Sequence, residues 1–246
     1  MSTGRTLTAW SEPLRSAPVR EYYEELWERL PEHLEPPHLE LRAAFARANV
    51  RPGDRVLDLG CGDGALTGVL ADAAGPRAEA PAAATAPAPA ASAASAAPAA
   101  PAASGGVVGV DVAEAALRRA RARHSALTFA LAPIDGPLPF EDGSFDVVWS
   151  SEVIEHVADT ARWLSEVRRV LVPRGRLLVT TPNHGRLRLA IGGIERYSEP
   201  LGDHLHLYSA RSLRELLTEF DFAVTELRRA AGPPLLKRLL FARAAR

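Results

Sequence analysis

The segment SSEVIEHV, residues 150–157, places Glu152, Glu155 and His156 at offsets of zero, three and four in a chain with seven histidines. On a helix those offsets share a face, so two carboxylates and an imidazole would enter one volume. Two oxygens and an imidazole suit a hard divalent ion such as Mg²⁺ or Mn²⁺, with positions left for water and substrate. Such an ion lowers the pKa of a bound hydroxyl. Without an ion, Glu152 and Glu155 would be solvated or ion-paired, and His156 would orient substrate, move its proton or simply pack. A second cluster, GDHLHLYS at residues 202–209, puts His204 and His206 two apart, on one side of an extended segment, and one of them could add a fourth ligand. His184, after TTPN, is a further candidate base or substrate contact.

A different chemistry is written in VLDLGCGDG, residues 56–64. It follows a strand pattern and opens a helix, so Gly60, Gly62 and Gly64 let the backbone turn sharply and approach a ligand at a helix N-terminus. With Ala65 it satisfies the loose dinucleotide pattern GxGxxG/A, a weak signal by itself. Asp111 sharpens it: once an inserted stretch of roughly thirty residues is set aside, this acid stands about twenty residues after the loop, where a ribose hydroxyl partner belongs. A nucleoside ligand follows from the pair.

These groups need a scaffold. Strands are expected over Arg55–Leu59, Val107–Val110, Leu127–Ala132, Phe145–Trp149, Arg176–Thr180 and Phe222–Leu227, with helices over Ala65–Ala74, Ala113–His124, Thr160–Leu171 and Ser212–Phe220. Alternation of this kind predicts an α/β fold, a Rossmann-like, doubly wound and mostly parallel sheet. The crevice over its strand carboxyl ends would receive the ligand. Helices over Arg20–Leu30, with Tyr22, Tyr23 and Trp27, and over Leu39–Ala48 read as an N-terminal helical cap, residues 1–49, before a domain at 50–246. Residues 80–104 contain only Ala, Pro, Ser and Thr and lack the apolar side chains that ordering requires, so 75–105 is expected to be a disordered insertion.

The motifs in order resemble those of class I S-adenosylmethionine-dependent methyltransferases. DLGCGDG at 58–64 is similar to the first motif, GVDVAEAALRRAR to the ribose-binding strand and helix, LPFEDGSFDVVWSSEVIEHV to the fourth strand with its approach, and RVLVPRGRLLVTTPN to the fifth strand with its helix. The likeness covers roughly residues 50–228. It implies S-adenosylmethionine as cofactor, with Asp58 and the loop Gly60, Cys61, Gly62 and Gly64 at the methionine end, Asp111 on the ribose diol and Val112 against adenine. Ser150 would add a cofactor contact. Asp135 is the acid nearest the position, Ile134 here, that in the family reaches the adenine amino group. EVIEHV alone resembles the ubiquinone-pathway O-methyltransferases. The set Glu152, Glu155, His156 and His206 resembles the metal site of small-RNA 3′-terminal 2′-O-methyltransferases, whose Phe-Glu-Trp is replaced here by Tyr208-Ser209-Ala210. The resemblance implies methyl transfer, here to a hydroxyl of a small molecule, with His156, Glu152 and His206 as catalytic residues. An NAD-dependent oxidoreductase and a non-catalytic binding module on the same fold are the alternatives.

Composition narrows the setting. A chain of 246 residues, 47% hydrophobic, can bury one substantial core, and a formal charge of −1 supplies no general attraction to nucleic acid or anionic membrane. One cysteine excludes an intrachain disulfide, and the first thirty residues carry no secretory pattern, so a cytoplasmic protein is expected. No apolar run approaches the ~20 residues of a spanning helix. Leu235–Arg246, with Lys237, Arg238, Arg243 and Arg246 among leucines and Phe241, reads as a short basic helix that could rest on a membrane surface, pack on the domain or act as a lid. A seventh strand is not evident, and oligomeric state is not legible.

Overall fold

The computed structural model describes residues 19–32, 35–76, 106–134, 136–185, 190, 204–233 and 238–246. The insertion expected at 75–105 falls outside these residues from 77 onward, as does Asp135.

Seven strands form one sheet in the order β3-β2-β1-β4-β5-β7-β6. They are β1 (Val56–Leu59), β2 (Val107–Asp111), β3 (Thr128–Leu131), β4 (Phe145–Ser151), β5 (Leu171–Pro182), β6 (Ala223–Ala230) and β7 (Leu239–Ala245). Strands β1 to β5 run parallel, and β7 lies antiparallel to both β5 and β6. The helices are α1 (Val19–Arg29), α2 (Leu39–Asn49), α3 (Thr67–Ala74), α4 (Glu114–Arg123), α5 (Thr160–Val170) and α6 (Ala210–Glu219).

The central strands form because both sheet faces are covered. All four residues of β1 are buried, so the strand reads as a continuous run and not as an alternation. One face packs Val148, Leu164, Val167, Leu177 and Phe222, and the other packs Phe45, Leu70, Trp149, Leu178 and Phe241. Helix α5 meets the first face with Trp163, Leu164, Val167 and Val170, a helical stripe, and its Asp159 cap accepts the Arg162 amide at 3.0 Å.

Strand β7 corrects two expectations at once. Residues 239–245 are not a basic helix and cannot lie on a membrane surface, because Leu240, Phe241, Ala242 and Ala244 are at most 1% exposed, wedged between β5 and β6. The seventh strand that was not evident in the sequence is present. Its charges are used inside the domain: Arg243 donates to Asn49 Oδ1 at 2.9 Å and to Thr225 Oγ1 at 3.1 Å. Lys237 and its two predecessors lie outside the described residues.

The two N-terminal helices differ in kind. Helix α2 belongs to the core: Phe45 is 1% exposed and meets Phe241 edge-on at 5.0 Å. Helix α1 lies along α4, where Glu24 accepts the amides of Glu114 and Ala115 at 2.7 and 3.0 Å and so caps α4 from outside it. Arg119 donates back to the Leu30 carbonyl at 2.7 Å.

Candidate active site

The strand order reverses between β1 and β4, and a cleft of about 360 Å³ opens at their carboxyl ends. The loops after β1, β2 and β4 supply its floor, and Tyr23, Leu26 and Trp27 of α1 supply its roof. Thus the aromatic helix covers the crevice that the topology creates.

At one end, the glycine loop takes conformations other residues avoid, with φ of +81° at Gly60 and +53° at Gly62. A Cβ at Gly60 would collide with Val153 Cγ2, and one at Gly62 would stand 2.8 Å from Trp27 Cζ2. Asp111 ties the loop to the second strand: its carboxylate accepts the Gly62 amide at 2.9 Å and the Ala113 amide at 3.0 Å. Burial raises its pKa, and those amides pull it back down. An acceptor-only carboxylate beside a bare backbone turn fits a diol and the polar tail of a nucleoside ligand. Val112 lines the same cleft. Asp58 is 2% exposed, and burial pushes its carboxyl up to about 7 although Thr67 donates to it at 2.6 Å. Burial, with the nearby Asp58 and Asp111 carboxylates, holds the Cys61 thiol well above its ordinary value, so Cys61 is a wall and not a nucleophile. Gly64 turns the chain toward α3, its carbonyl 3.1 Å from His124 Nε2. Ser150 does not line the cleft; strand parity sends Trp149 and Ser151 there and leaves Ser150 fully buried.

At the other end, the chain leaves β4 in a way that corrects the helical-face argument. Glu152 has φ +58°, and only Ile154–His156 turn, as one 3₁₀ turn. The three residues nevertheless line one cleft. Glu152 accepts from Thr180 Oγ1 at 3.1 Å. Glu155 is fully buried and accepts from Thr181 Oγ1 at 2.8 Å, while its Oε1 lies 3.9 Å from His156 Nε2. Burial, reinforced by the Glu152 charge, pushes Glu155 up to about 8. Arg42 of α2, 4% exposed, donates to Ser151 Oγ at 3.0 Å and carries the positive charge that faces Glu152 and Glu155.

The expected metal set is not assembled as written. Ligand atoms of Glu155, His156 and His204 lie within 4.8 Å of one another, and His206 is not among them. The amides of Leu205 and His206 donate to the Glu155 carbonyl at 2.8 and 3.0 Å, and the His206 ring turns toward Tyr208, 6.0 Å away. His206 does not line the cleft, whereas His204 does.

A model of the methyltransferase domain family matches residues 19–227. The chain belongs to the class I S-adenosylmethionine-dependent methyltransferases. It is 37% identical over 121 residues to a "probable S-adenosylmethionine-dependent methyltransferase" of Mycolicibacterium smegmatis, covering 49% of this chain and 44% of that one. It is 35% identical over 143 residues to a demethylmenaquinone methyltransferase of Symbiobacterium thermophilum, covering 56% and 46%. This methyltransferase chain therefore spans about half the length of the curated relatives it matches. Its fold is shared with magnesium protoporphyrin IX methyltransferase from Synechocystis with bound S-adenosylhomocysteine, at TM-score 0.61 and 17% identity, covering 93% and 98%.

Sequence reasoning missed Arg42 and Ser151 in this methyltransferase cleft, and Thr180 and Thr181, which donate to its two glutamates. Arg42 sits inside a helix with no motif around it, and the two threonines stand in TTPN at the end of β5, which was read only as the approach to His184.

The raised carboxyls set a pH dependence. Glu155 keeps in the fold a proton that the unfolded chain releases near 4.5, so its contribution is full below that pH and is lost as pH rises toward about 8. Asp58 acts in the same direction, from 3.8 to about 7. The wild-type melting temperature should therefore fall as pH rises from 5 to 8. Glu155→Gln, which cannot ionise, should give a flatter profile, clearest above 7; equal slopes in thermal melts would refute the buried neutral carboxyl.

Proposed function

We propose that this chain transfers the methyl group of S-adenosylmethionine to a hydroxyl of a small molecule, with the acceptor held among Glu155, His156 and His204. The observation that carries the reading is the contact between the two halves of one cleft. Val153, in the acceptor segment, packs directly on Gly60 of the glycine loop, so a ligand on the loop and a ligand on His156 lie side by side. When bound, the cofactor supplies a methyl already made electrophilic by its sulfonium.

The chain's own residues then have to align, exclude water and move one proton. Asp111 and the glycine loop hold the nucleoside end. Tyr23 and Trp27 of α1 close the roof, with Tyr23 edge-on to His156 at 6.3 Å. His156 takes the hydroxyl proton as the base, because its neighbour Glu155 is held neutral by burial. A divalent ion, expected from the residue types, is not required for these steps.

Neither alternative matches the family: an NAD-dependent oxidoreductase and a non-catalytic module would leave this pairing of glycine loop and acceptor histidines without a use. Among the described residues no helix is long and apolar enough to cross a membrane, which agrees with the cytoplasmic setting we propose.

The test is a calorimetric titration with S-adenosylhomocysteine and, separately, NADH, followed by mass spectrometry of a panel of hydroxylated small molecules incubated with S-adenosylmethionine. Binding of S-adenosylhomocysteine alone and a methyl gain on a hydroxyl are the expected results. NADH binding in its place would return the oxidoreductase, and methylation on carbon would overturn the hydroxyl acceptor.

A further inference from the structure

Helix α1 presents two faces. Tyr23, Leu26 and Trp27, at offsets of zero, three and four, line the cleft, whereas Glu24 and Glu28, one turn apart, face Arg118 of α4. Leu26 is the helix's one buried residue, so apolar burial does little to hold it. Polar ties to α4 carry much of the attachment. Glu24 accepts the amides of Glu114 and Ala115 at 2.7 and 3.0 Å, and Arg119 donates to the carbonyls of Leu30 and Pro31 at 2.7 and 3.2 Å.

Helix α1 supplies the capping oxygens because α4 lacks its own. Ala113 stands at the N-cap position and offers no side-chain acceptor, which leaves the first amides of α4 to find one elsewhere. Both Glu24 oxygens fill that role. The same turn is gripped from the cofactor side, where Asp111 accepts the amide of Ala113, the residue just before the two that Glu24 holds. Three successive amides, those of Ala113, Glu114 and Ala115, thus join the carboxylate placed for the ribose to the carboxylate of the roof.

We infer that Glu24 is a positioning residue, a latch that ties the α1 roof to the ribose-binding turn, so that the cofactor enters and leaves the cleft when this tie opens. Trp27 gives the latch its hold on the cofactor site, since its ring stands over the glycine loop, 2.8 Å from where a Gly62 Cβ would be. Tyr23 covers the acceptor end, edge-on to His156 at 6.3 Å. One helix therefore covers both ends of the cleft, and lifting it opens both. A ribose diol bonded to Asp111 firms the turn at 113–115 and, through Glu24, the roof, a coupling by which bound cofactor closes the cap over itself.

The latch rests on the cofactor site of the proposed reaction and is independent of its hydroxyl acceptor. Stopped-flow tryptophan fluorescence of the full chain with S-adenosylhomocysteine gives the entry and exit rates, and hydrogen exchange read by mass spectrometry reports on α1. Glu24→Ala should raise both rates, the exit rate by about tenfold, and Glu24→Gln, which keeps one acceptor oxygen, should fall between it and wild type. Bound S-adenosylhomocysteine should slow exchange across residues 19–29 in the wild type and not in Glu24→Ala. A faster exit with an unchanged entry would mean a damaged binding site instead of an opened roof and would overturn the inference. Rates within about twofold of wild type, or equal protection of α1 in both proteins, would do the same. If Glu24→Ala does not fold, Glu24→Gln decides by the same two rates. A chain that binds S-adenosylhomocysteine and shows these rates but methylates no hydroxyl would refute the proposed reaction and leave the latch standing.

Discussion

Asp111→Ala should weaken S-adenosylhomocysteine binding by roughly a hundredfold or more while leaving the sheet intact. The carboxylate does two jobs before any ligand arrives. It accepts the Gly62 amide at 2.9 Å, holding the left-handed turn of the glycine loop, and the Ala113 amide at 3.0 Å, holding the exit from β2. Hydrogen bonds to a charged group contribute ~1.5–3 kcal/mol each to holding the loop, and a ligand that must first order an unheld loop loses affinity by up to about that cost, ~1.4 kcal/mol being tenfold. Any contact to the ribose diol adds to that. Asp111→Asn keeps one carbonyl oxygen and much of the shape, so it should fall between wild type and alanine. Calorimetry gives the affinity and circular dichroism the fold. An Asp111→Ala affinity within about threefold of wild type would remove Asp111 from the cofactor site.

The parallel strands were legible because they are buried on both faces. VLDL, VVGV and FDVVW are short apolar runs between glycine, proline and acidic breaks, and each became a strand within two residues of its expected bounds. Strand β7 was illegible for the same physical reason. LLFARAA is also a buried run, and a short apolar run does not distinguish strand from helix; what decides is that β5 and β6 leave a space between them that only a strand fills. Arg243 misled because its partners, Asn49 and Thr225, are distant in sequence or across a strand pair.

Within the site, residue types were legible and their geometry less so. The grouping of Glu152, Glu155 and His156 survives, but on an irregular exit from β4, since nothing in SSEVIEHV announces a positive φ at a glutamate. Ser150 and Ser151 differ only in strand parity, which shifts with a one-residue error in register. His204 and His206 look equivalent in HLH. The partner that separates them, His184, is twenty positions away and meets His204 only because β5 and the 204–208 segment clasp through Tyr208.

His156→Ala should carry the largest effect on turnover, lowering kcat by ~10²–10⁴ with S-adenosylhomocysteine affinity unchanged. Two neighbours shape this expectation. Glu155 Oε1 lies 3.9 Å from His156 Nε2, but burial keeps that carboxyl neutral up to about pH 8, so it is a poor proton acceptor at neutral pH. His204, the other imidazole of the cleft, has its Nδ1 3.1 Å from His184 Nε2. The hydroxyl proton is then left to His156, which lines the cleft beneath Tyr23. His156→Gln keeps a polar side chain of similar reach without a base, so a purely positional role would be rescued by glutamine and a proton-transfer role would not. The measurement is kcat and KM for both variants with the hydroxyl acceptor that the methylation screen returns, beside calorimetry of S-adenosylhomocysteine. A loss confined to kcat in both variants identifies the base. A glutamine variant with near-wild-type kcat would make His156 a substrate contact and leave proton removal to solvent, a workable route only for an acceptor acidic enough to arrive already ionised.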